Sequence, residues 1–506
     1  MSKKKIAILG GGVTGVTLAR ELSKDSLFEI ELIENSPALG GFHRNIEING
    51  LNYDIGAFTF DRSHNLFKSF PSIVKLYQSI DNNFGSITAK KSLDAYPCTL
   101  KGYIRDNGLL GLLSTCIEIP FSKFYYWRKN TVPAFVKYYI GKSAYQKTGL
   151  KNYIERLYQV SDQDIDIQFA HKRLDCIQNT GSFRKITAKK FQGKADVLTP
   201  PVATSILVRP QEGFAKIYSE LHKLLLADGV TVSLDCEIQS IKKLIKDQQQ
   251  KFEVEFANQT TKTYDGVVST IPIPVISRLI GEPLQKELKS ITLLTLFYRF
   301  QGDLKYDYNV LHNFTAEGAW KKITTFSHYY GKYEKDDYFS VEITLDQDAS
   351  PDIAQQQQQF EKHVKTLGLF VGQLKLQGSK LTPNAYPVYL IDNVDEIITA
   401  KNQLKDWGLY LAGRQGEFDY LNSSDAAGNA VKIANQIKRD YKKKMEIFWL
   451  PTYSPQLNLI EILWRFMKYE WIETKAYACW QNLTQYAEHI IRFFADLRSI
   501  AVGIAM

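Results

Sequence analysis

Residues 5–24 read KIAILGGGVTGVTLARELSK, and this stretch decides the fold of the chain's first part. Lys5–Leu9 is a short apolar run of the kind that forms a buried parallel strand. Gly10, Gly12 and Gly15 follow in G-x-G-x-x-G spacing, and Val16, Ala19 and Leu22 then recur on one side of a helix. The spacing has a mechanical reason. Gly10 permits the tight turn, Gly12 lets the backbone approach a pyrophosphate, and Gly15 lets helix and strand pack closely. The helix start at Val13 and Thr14 then presents its N–H groups and positive dipole end to the phosphates. A second apolar run, Phe28–Ile33, ends in Glu34, nineteen residues after Gly15. There a carboxylate can accept hydrogen bonds from ribose hydroxyls and would repel a 2′-phosphate, which argues against NADP. The motif therefore predicts an α/β, Rossmann-like dinucleotide site.

Bulk properties set the frame. The chain has 506 residues, enough for two or more domains, with 44% hydrophobic and 23% charged residues, as in ordinary globular proteins. No apolar run reaches the ~18 residues of a spanning helix, and Met1–Lys5 leads into too short and glycine-rich a run for a signal peptide. A cytoplasmic location is expected. Cys98, Cys116, Cys176, Cys236 and Cys479 are scattered without a CxxC pair, so neither a disulfide framework nor a zinc site is expected. The net charge of +9 is uneven. Residues 121–160 hold eight Lys or Arg against one acid, Glu155, with aromatics interleaved as in FYYW. That segment is expected to form a solvated helical cap whose tyrosines pack inward, with peripheral membrane contact the less favoured alternative.

The stretches downstream of the first motif resemble those of a known superfamily. ENSPALGGFHR (34–44) places Gly40-Gly41 six residues after Glu34, and GLNYDIGAF (50–58) comes next. The arrangement resembles the two-dinucleotide-binding-domain flavoproteins: amine oxidases, protoporphyrinogen oxidase and UDP-galactopyranose mutase. The resemblance implies FAD, with the glycine doublet passing close to its phosphates and Arg44 adding a cation, although Phe42 stands where the commoner pattern has arginine. Three later stretches extend it. In ILVRPQEGFAKIYSELHKLLLADGVTVSLDCEIQSI (206–241) a helix over about 214–226 precedes a strand and Glu237-Ile238, and Ile238 would meet the adenine end of FAD. YDGVVSTIPIPVISRLI (264–280) matches the family's strand ending in a Thr-x-Pro turn at Thr270 and Pro272. In GLYLAGRQGEFDYLNSSDAAGNAVKIANQIK (408–438), Gly413, Arg414 and Asp425 would close the FAD site, or Arg414 and Asp425 would pair as a loop ion pair.

The resemblance spans about 3–440 and implies six segments. FAD-binding parts are expected over 1–95, 206–285 and 401–444, and a largely helical cap over 96–205. The α+β substrate domain has its antiparallel sheet over 286–400, where 292–345 alternates apolar and polar residues, and a separate tail covers 445–506. The implied activity is an FAD-dependent oxidoreductase acting on a small molecule, with substrate and electron acceptor open and no catalytic residue assigned. Tyr386, Tyr389, Phe418 and Tyr420 match aromatic positions near the flavin in these families. The alternatives are a mutase-like, redox-neutral flavoenzyme and a flavin-binding protein without turnover. Against the mutase stands Gly56-Ala57-Phe58-Thr59-Phe60, which lacks the histidine of that family's GPHIFH stretch.

The tail is of another kind. MEIFWLPTYSPQLNLIEILWRFMKYEWIE (445–473) resembles the last catalytic block of mariner-like insertion-sequence transposases, LPxYSPxLNPIExxWxxLK, with Leu459 in place of proline. Glu461 would be the third carboxylate of a D-D-E triad holding two metal ions. The upstream region that should supply its partners is occupied by the flavoprotein's closing helix. The tail is therefore expected to be a truncated RNase-H-like remnant, with no metal site and no functional nucleic-acid binding, joined at about 440–445.

Overall fold

The structure, a computed structural model, describes residues 3–96, 98–174, 205–246, 249–284 and 286–442. The chain forms two compact units, Met1–Lys438 and Arg439–Met506. Cys176, Cys479, Leu459 and Glu461, with the whole of the expected 445–506 tail, lie outside the described residues.

The opening motif builds what its spacing predicts. Strand β1 is Lys4–Leu9, helix α1 is Val13–Ser23, and strand β2 is Phe28–Ile33. β1 lies inside a five-stranded parallel sheet, between β2 and Gly266–Ser269, with Thr231–Ser233 and Tyr410–Leu411 at the edges. Ile6, Ala7, Ile8 and Leu9 are all buried because both faces of the sheet are covered, which explains a continuous apolar run instead of an alternating one. Strands from three distant stretches of sequence thus share one sheet. Helix Phe214–Ala227 matches its expected bounds within a residue.

The second sheet has seven strands in the order Phe370–Pro387, Ser290–Leu304, Asp337–Asp346, Trp320–Thr325, Val310–Asn313, Phe84–Ile87 and Leu93–Ala95. Every pairing is antiparallel except Val310–Asn313 with Phe84–Ile87. One expectation needs correction here. Residues 84–95, assigned by sequence to the first FAD-binding part, contribute the sheet's edge. The strand Ser290–Leu304 lies in the antiparallel sheet as expected, and Ser290 to Tyr298 are buried on both faces. On one face Phe297 packs with Tyr53, Phe326 and Tyr338. On the other, Leu294, Leu296 and Tyr298 pack under helix Ile353–Thr366, the Tyr298 and Phe360 rings lying 5.3 Å apart. A helix laid on a sheet removes the polar alternation that a solvated face would keep.

Between the sheets lies the helical cap: the cap helix Leu100–Tyr125, then Val132–Ile140, Lys142–Lys147, Leu150–Tyr158 and Ile167–Arg173. Tyr145, Tyr153 and Tyr158 pack inward as expected. The FYYW aromatics do not, and Phe124, Tyr125 and Trp127 stand in solvent. Among the described residues no helix is long and apolar enough to cross a membrane.

The tightest point of the first unit is at Gly15, where a Cβ would sit 1.9 Å from the Gly10 carbonyl oxygen. That oxygen belongs to backbone and cannot swing away. Gly15→Ala must push α1 off β1, and overpacking of this kind costs about 1–3 kcal/mol. A urea midpoint lowered without a change in slope is the expected result; an unchanged midpoint would mean that helix and strand are not in contact here.

Candidate functional site

Three strand ends converge at the start of α1. Gly10 N–H donates to Ile33 O at 2.8 Å, and Thr270 N–H donates to Leu9 O at 3.0 Å. The loop between β1 and α1 is therefore fixed from both sides. Gly41, at φ +55°, lies against it: a Cβ there would come 3.0 Å from the Gly12 Cα. Gly40 N–H donates to Gly11 O at 2.9 Å, so the glycine doublet crosses directly over the first motif. Val13 and Thr14 open the helix, and the Val13 carbonyl accepts the Thr17 hydroxyl at 2.7 Å.

Glu34 is buried at the end of β2, and its carboxylate is held by backbone. Gly11 N–H donates to one oxygen at 2.7 Å and Ser36 N–H to the other at 2.9 Å. The half-exposed Arg44 brings Nη2 to 3.7 Å from Glu34 Oε1. The segment before Ile238 runs alongside, with Cys236 N–H donating to Glu34 O at 3.0 Å and Asp235 N–H to Ser36 O at 3.1 Å. Thus Glu34, Arg44, Gly40 and Gly41 are gathered around one loop, while Ile238 pairs with Phe256 two residues beyond the segment that bonds to Glu34. His43 is fully buried, stacked on Phe214 with ring centroids 5.1 Å apart and 2.9 Å from the Tyr218 hydroxyl. Burial, with the nearby His64 and Arg414 charges, pushes its imidazole down to about 3. It is neutral at ordinary pH and is held as part of an aromatic wall.

Gly413 packs its backbone on α1, where a Cβ would meet the Thr14 side chain at 2.3 Å. Its N–H donates to Asn429 Oδ1 at 2.8 Å, and Asn429 Nδ2 donates to Glu417 at 2.6 Å. Arg414 donates to the carbonyls of Leu421 and Ala385. Its guanidinium lies 5.4 Å over the Tyr386 ring and 5.7 Å over the Tyr420 ring. Asp425 is exposed in the first turn of the closing helix Ser423–Lys442. Among the described residues no ion pair joins it to Arg414, so the loop ion pair considered from sequence is absent.

Of the four aromatics singled out in the sequence, Tyr386 and Tyr420 come together, stacked at 5.5 Å. Tyr389 donates its hydroxyl to Phe418 O at 2.8 Å, and Phe418 is buried, so these two tie the loop into the core.

The structure adds residues that the sequence reading missed. The strand Trp320–Thr325 carries a bulge between Trp320 and Lys322 opposite Ile343 and Glu342. In a regular strand Lys321 and Lys322 would point to opposite faces, whereas a bulge re-aims one side chain. Both ammonium groups therefore reach Glu342, at 2.8 and 3.0 Å. Glu342 is 1% exposed and Lys321 3%. Lys321 Nζ also donates to the Tyr386 hydroxyl at 3.1 Å. Glu342 Oε1 accepts the Ala57 N–H at 3.0 Å, which anchors the GAFTF segment. Burial works against the Glu342 charge, but Lys321 and Lys322 overcome it and hold the carboxyl down at about 2. Burial likewise opposes ionisation of Tyr386, yet Lys321, Lys322 and Arg414 together hold the phenol below its ordinary range. The signal available in the sequence was the doubled lysine of WKKITT, two adjacent cations within one short strand.

Three family models match separate parts of the chain. Residues 8–73 match a NAD(P)-binding Rossmann-like domain, and residues 125–302 match flavin containing amine oxidoreductase. Residues 425–484 match DDE superfamily endonuclease. The chain thus joins an FAD-dependent oxidoreductase part, with a Rossmann-like and an amine-oxidase-like segment, to a DDE-type transposase fragment. The flavoprotein fold is shared by reduced UDP-galactopyranose mutase at 16% identity and TM-score 0.70, covering 87% of this chain and 94% of that one. It is also shared by an oxidoreductase from Methanosarcina mazei, at 12% identity and TM-score 0.56 over 85% of this chain and 100% of that one. Putrescine oxidase bound to putrescine gives 11% and 0.53 over 86% and 99%. No curated protein sequence matches the chain. The DDE match begins at Asp425, inside the flavoprotein's closing helix and upstream of the join expected at about 440–445. The helix buries Ala426, Ala427, Ala430 and Ala434, and its Asn429 holds Gly413.

Removing one partner of a buried ion pair leaves an uncompensated charge and costs about 3–5 kcal/mol. Glu342→Gln should therefore lower stability by that order at neutral pH, read from urea unfolding. The pH dependence has a definite sign. The folded carboxyl sits at about 2, below its ordinary value of 4.5, so its contribution is full above 4.5 and is lost as pH falls toward 2. Glu342→Gln should flatten that acid limb, and an acid limb as steep as the wild type's would show that Glu342 is not charged in the folded protein.

Proposed function

We propose that FAD lies along the loop between β1 and α1. Its pyrophosphate would meet the N–H groups at Gly12, Val13 and Thr14, with the backbone of Gly40 and Gly41 and the cation of Arg44 alongside. Glu34 would receive the ribose and Ile238 would border the adenine end. The fit is supported by the space between Gly12 and Gly41, which side chains on either glycine would fill. At the other end Gly413, Arg414 and the start of the closing helix at Asp425 would border the flavin.

The observation that carries the catalytic reading is the bulge that delivers Lys321 to Tyr386 beside Arg414. A small-molecule substrate would lie against the Tyr386 and Tyr420 rings. Bound there, FAD would supply the acceptor for a hydride leaving a substrate C–H as the adjoining C–N or C–C bond is oxidised to a double bond. As a phenolate, which the neighbouring cations favour, Tyr386 Oη, held by Lys321 Nζ at 3.1 Å, would take the proton lost from the adjoining N–H or C–H. Lys321, Lys322 and Arg414 outnumber Glu342, so negative charge on a group bound beside them would be favoured. The likeness in fold to UDP-galactopyranose mutase does not carry its chemistry, because Ala57 and Phe58 stand in the segment where that family has its histidine.

The purified protein should be yellow and release intact FAD on denaturation. Gly12→Val or Glu34→Lys should abolish that, and Tyr386→Phe should keep FAD while lowering flavin reduction by substrate about 100-fold or more, the scale of a lost proton acceptor. A colourless wild type that cannot be reconstituted with FAD would sink the whole assignment. Unchanged reduction in Tyr386→Phe would sink only the proton role.

For the tail we propose a truncated RNase-H-like remnant without nucleic-acid function, carried by a cytoplasmic flavoprotein. Two metal ions need carboxylates from separate parts of one fold, and Glu461 has only its local sequence block around it. Ending the chain after Lys444 should leave FAD content unchanged, and Glu461→Ala should change no flavin activity. Mg²⁺-dependent nicking of insertion-element ends that disappears in Glu461→Ala would refute the remnant reading.

A further inference from the structure

The cap helix is amphipathic in the wrong sense for a helix facing water. Past a kink at Gly108, its buried side carries Thr115 and Ser122, and Glu118 turns toward the neighbouring helix. There the carboxylate accepts the N–H groups of Lys142 at 2.6 Å and Ser143 at 3.1 Å. The outward side carries Leu110, Leu113, Ile117, Phe121 and Phe124, spaced three and four residues apart, and Trp127 just beyond. Leu110 is 82% exposed and Phe124 78%. A contiguous apolar stripe of this length marks an interaction surface.

Its surroundings choose the partner. Cations border the stripe. The Arg128 guanidinium lies 5.3 Å over the Trp127 ring, Lys123 and Lys129 approach Tyr138, and Lys147 Nζ reaches Ser114 Oγ at 3.5 Å. Glu118 is the sole acid from Leu109 to Tyr125, and its carboxylate is committed to backbone. A second copy of the chain would set these cations against themselves. A nucleic acid would gain nothing from leucine, isoleucine and phenylalanine along the centre of the contact. An anionic lipid surface satisfies both features: apolar side chains enter the acyl boundary, Trp and Tyr sit at headgroup level, and Lys and Arg meet lipid phosphates.

We propose that the outward face of the cap helix docks on anionic lipid bilayers, lying in the interface plane without spanning it. The inference is independent of the flavin reading, since none of these side chains belongs to the proposed FAD site.

Flotation of the full-length protein tests it, with vesicles of phosphatidylcholine plus phosphatidylglycerol compared with phosphatidylcholine alone. The wild type should float with the anionic vesicles and be released by high salt. Arg128→Gln and Lys147→Gln should each weaken binding about fivefold, the effect of one cation near such a surface. Leu113→Ser with Phe124→Ser should abolish it while leaving the thermal unfolding transition in place, because both side chains are already exposed. Absence of flotation by the wild type would overturn the proposal. So would flotation indifferent to the serine variants, or a concentration-dependent dimer that those variants dissolve without any binding to vesicles.

Discussion

The flavoprotein unit depends on one close approach, that of α1 to β1. A helix can deliver its N-terminal N–H groups to a phosphate only if its first turn lies against the strand that feeds it, and Gly15 makes that contact by having no Cβ. Gly41 lies against Gly12 from above, and Gly413 lies against Thr14 from the C-terminal side. Three segments, the last about 370 residues beyond the second, thus converge on one turn of helix. Each approaches backbone first, because a side chain would occupy the space between them. Glu34 then has no freedom of its own: its two oxygens are held by Gly11 and Ser36, so the carboxylate stands wherever the glycine turn places it.

The chain handles buried cations in two ways, and they differ in what the cation faces. Arg209 is fully buried with Asp54, and its remaining donors go to the carbonyls of Asn52, Pro210 and Gln211. Arg156 is spent on the carbonyls of Asn313, Thr315 and Gly318. Such guanidinium groups are saturated and fix loops. Lys321 is different, because beyond Glu342 it holds a phenol instead of a carbonyl. Arg414 ties down its edge with carbonyls but leaves its face over two tyrosine rings. Burying an ion pair gives little stability in itself. Its use here is to fix the charge beside Tyr386 at every ordinary pH.

The range over which each signal acts decides how much of it is legible in sequence. Gly10 to Glu34 is a local pattern, with strand, turn, helix and strand within one supersecondary unit, and its spacing alone fixes the geometry. The burial of Ser290–Tyr298 on both faces is not legible in that strand, because nothing in it announces the helix Ile353–Thr366 lying on it. Lys321 was missed for a related reason. A bulge is a property of two strands in register, and the residue opposite it, Glu342, lies about twenty positions away in sequence. On the cap helix, periodicity identifies two faces but not which of them meets solvent. That is decided by the helices Val132–Ile140 and Lys142–Lys147, which pack on its polar side.

The closing helix explains how a flavoprotein can carry a foreign tail. Its inward face is Ala426, Ala427, Ala430, Ala434 and Ile437, so small side chains let the helix lie close to the unit it completes. Asn429 secures Gly413, and Ser424 receives hydrogen bonds from Asn65 in the N-terminal part. All of these contacts are made before Arg439, where the first compact unit ends. The last buried position, Ile437, lies beyond the start of the DDE match at Asp425. The residues shared by the two patterns are therefore shaped here by the demands of the flavoprotein. A fusion downstream of Ile437 removes no contact that closes the dinucleotide site, which is why sequence of unrelated origin can follow it without disturbing the fold.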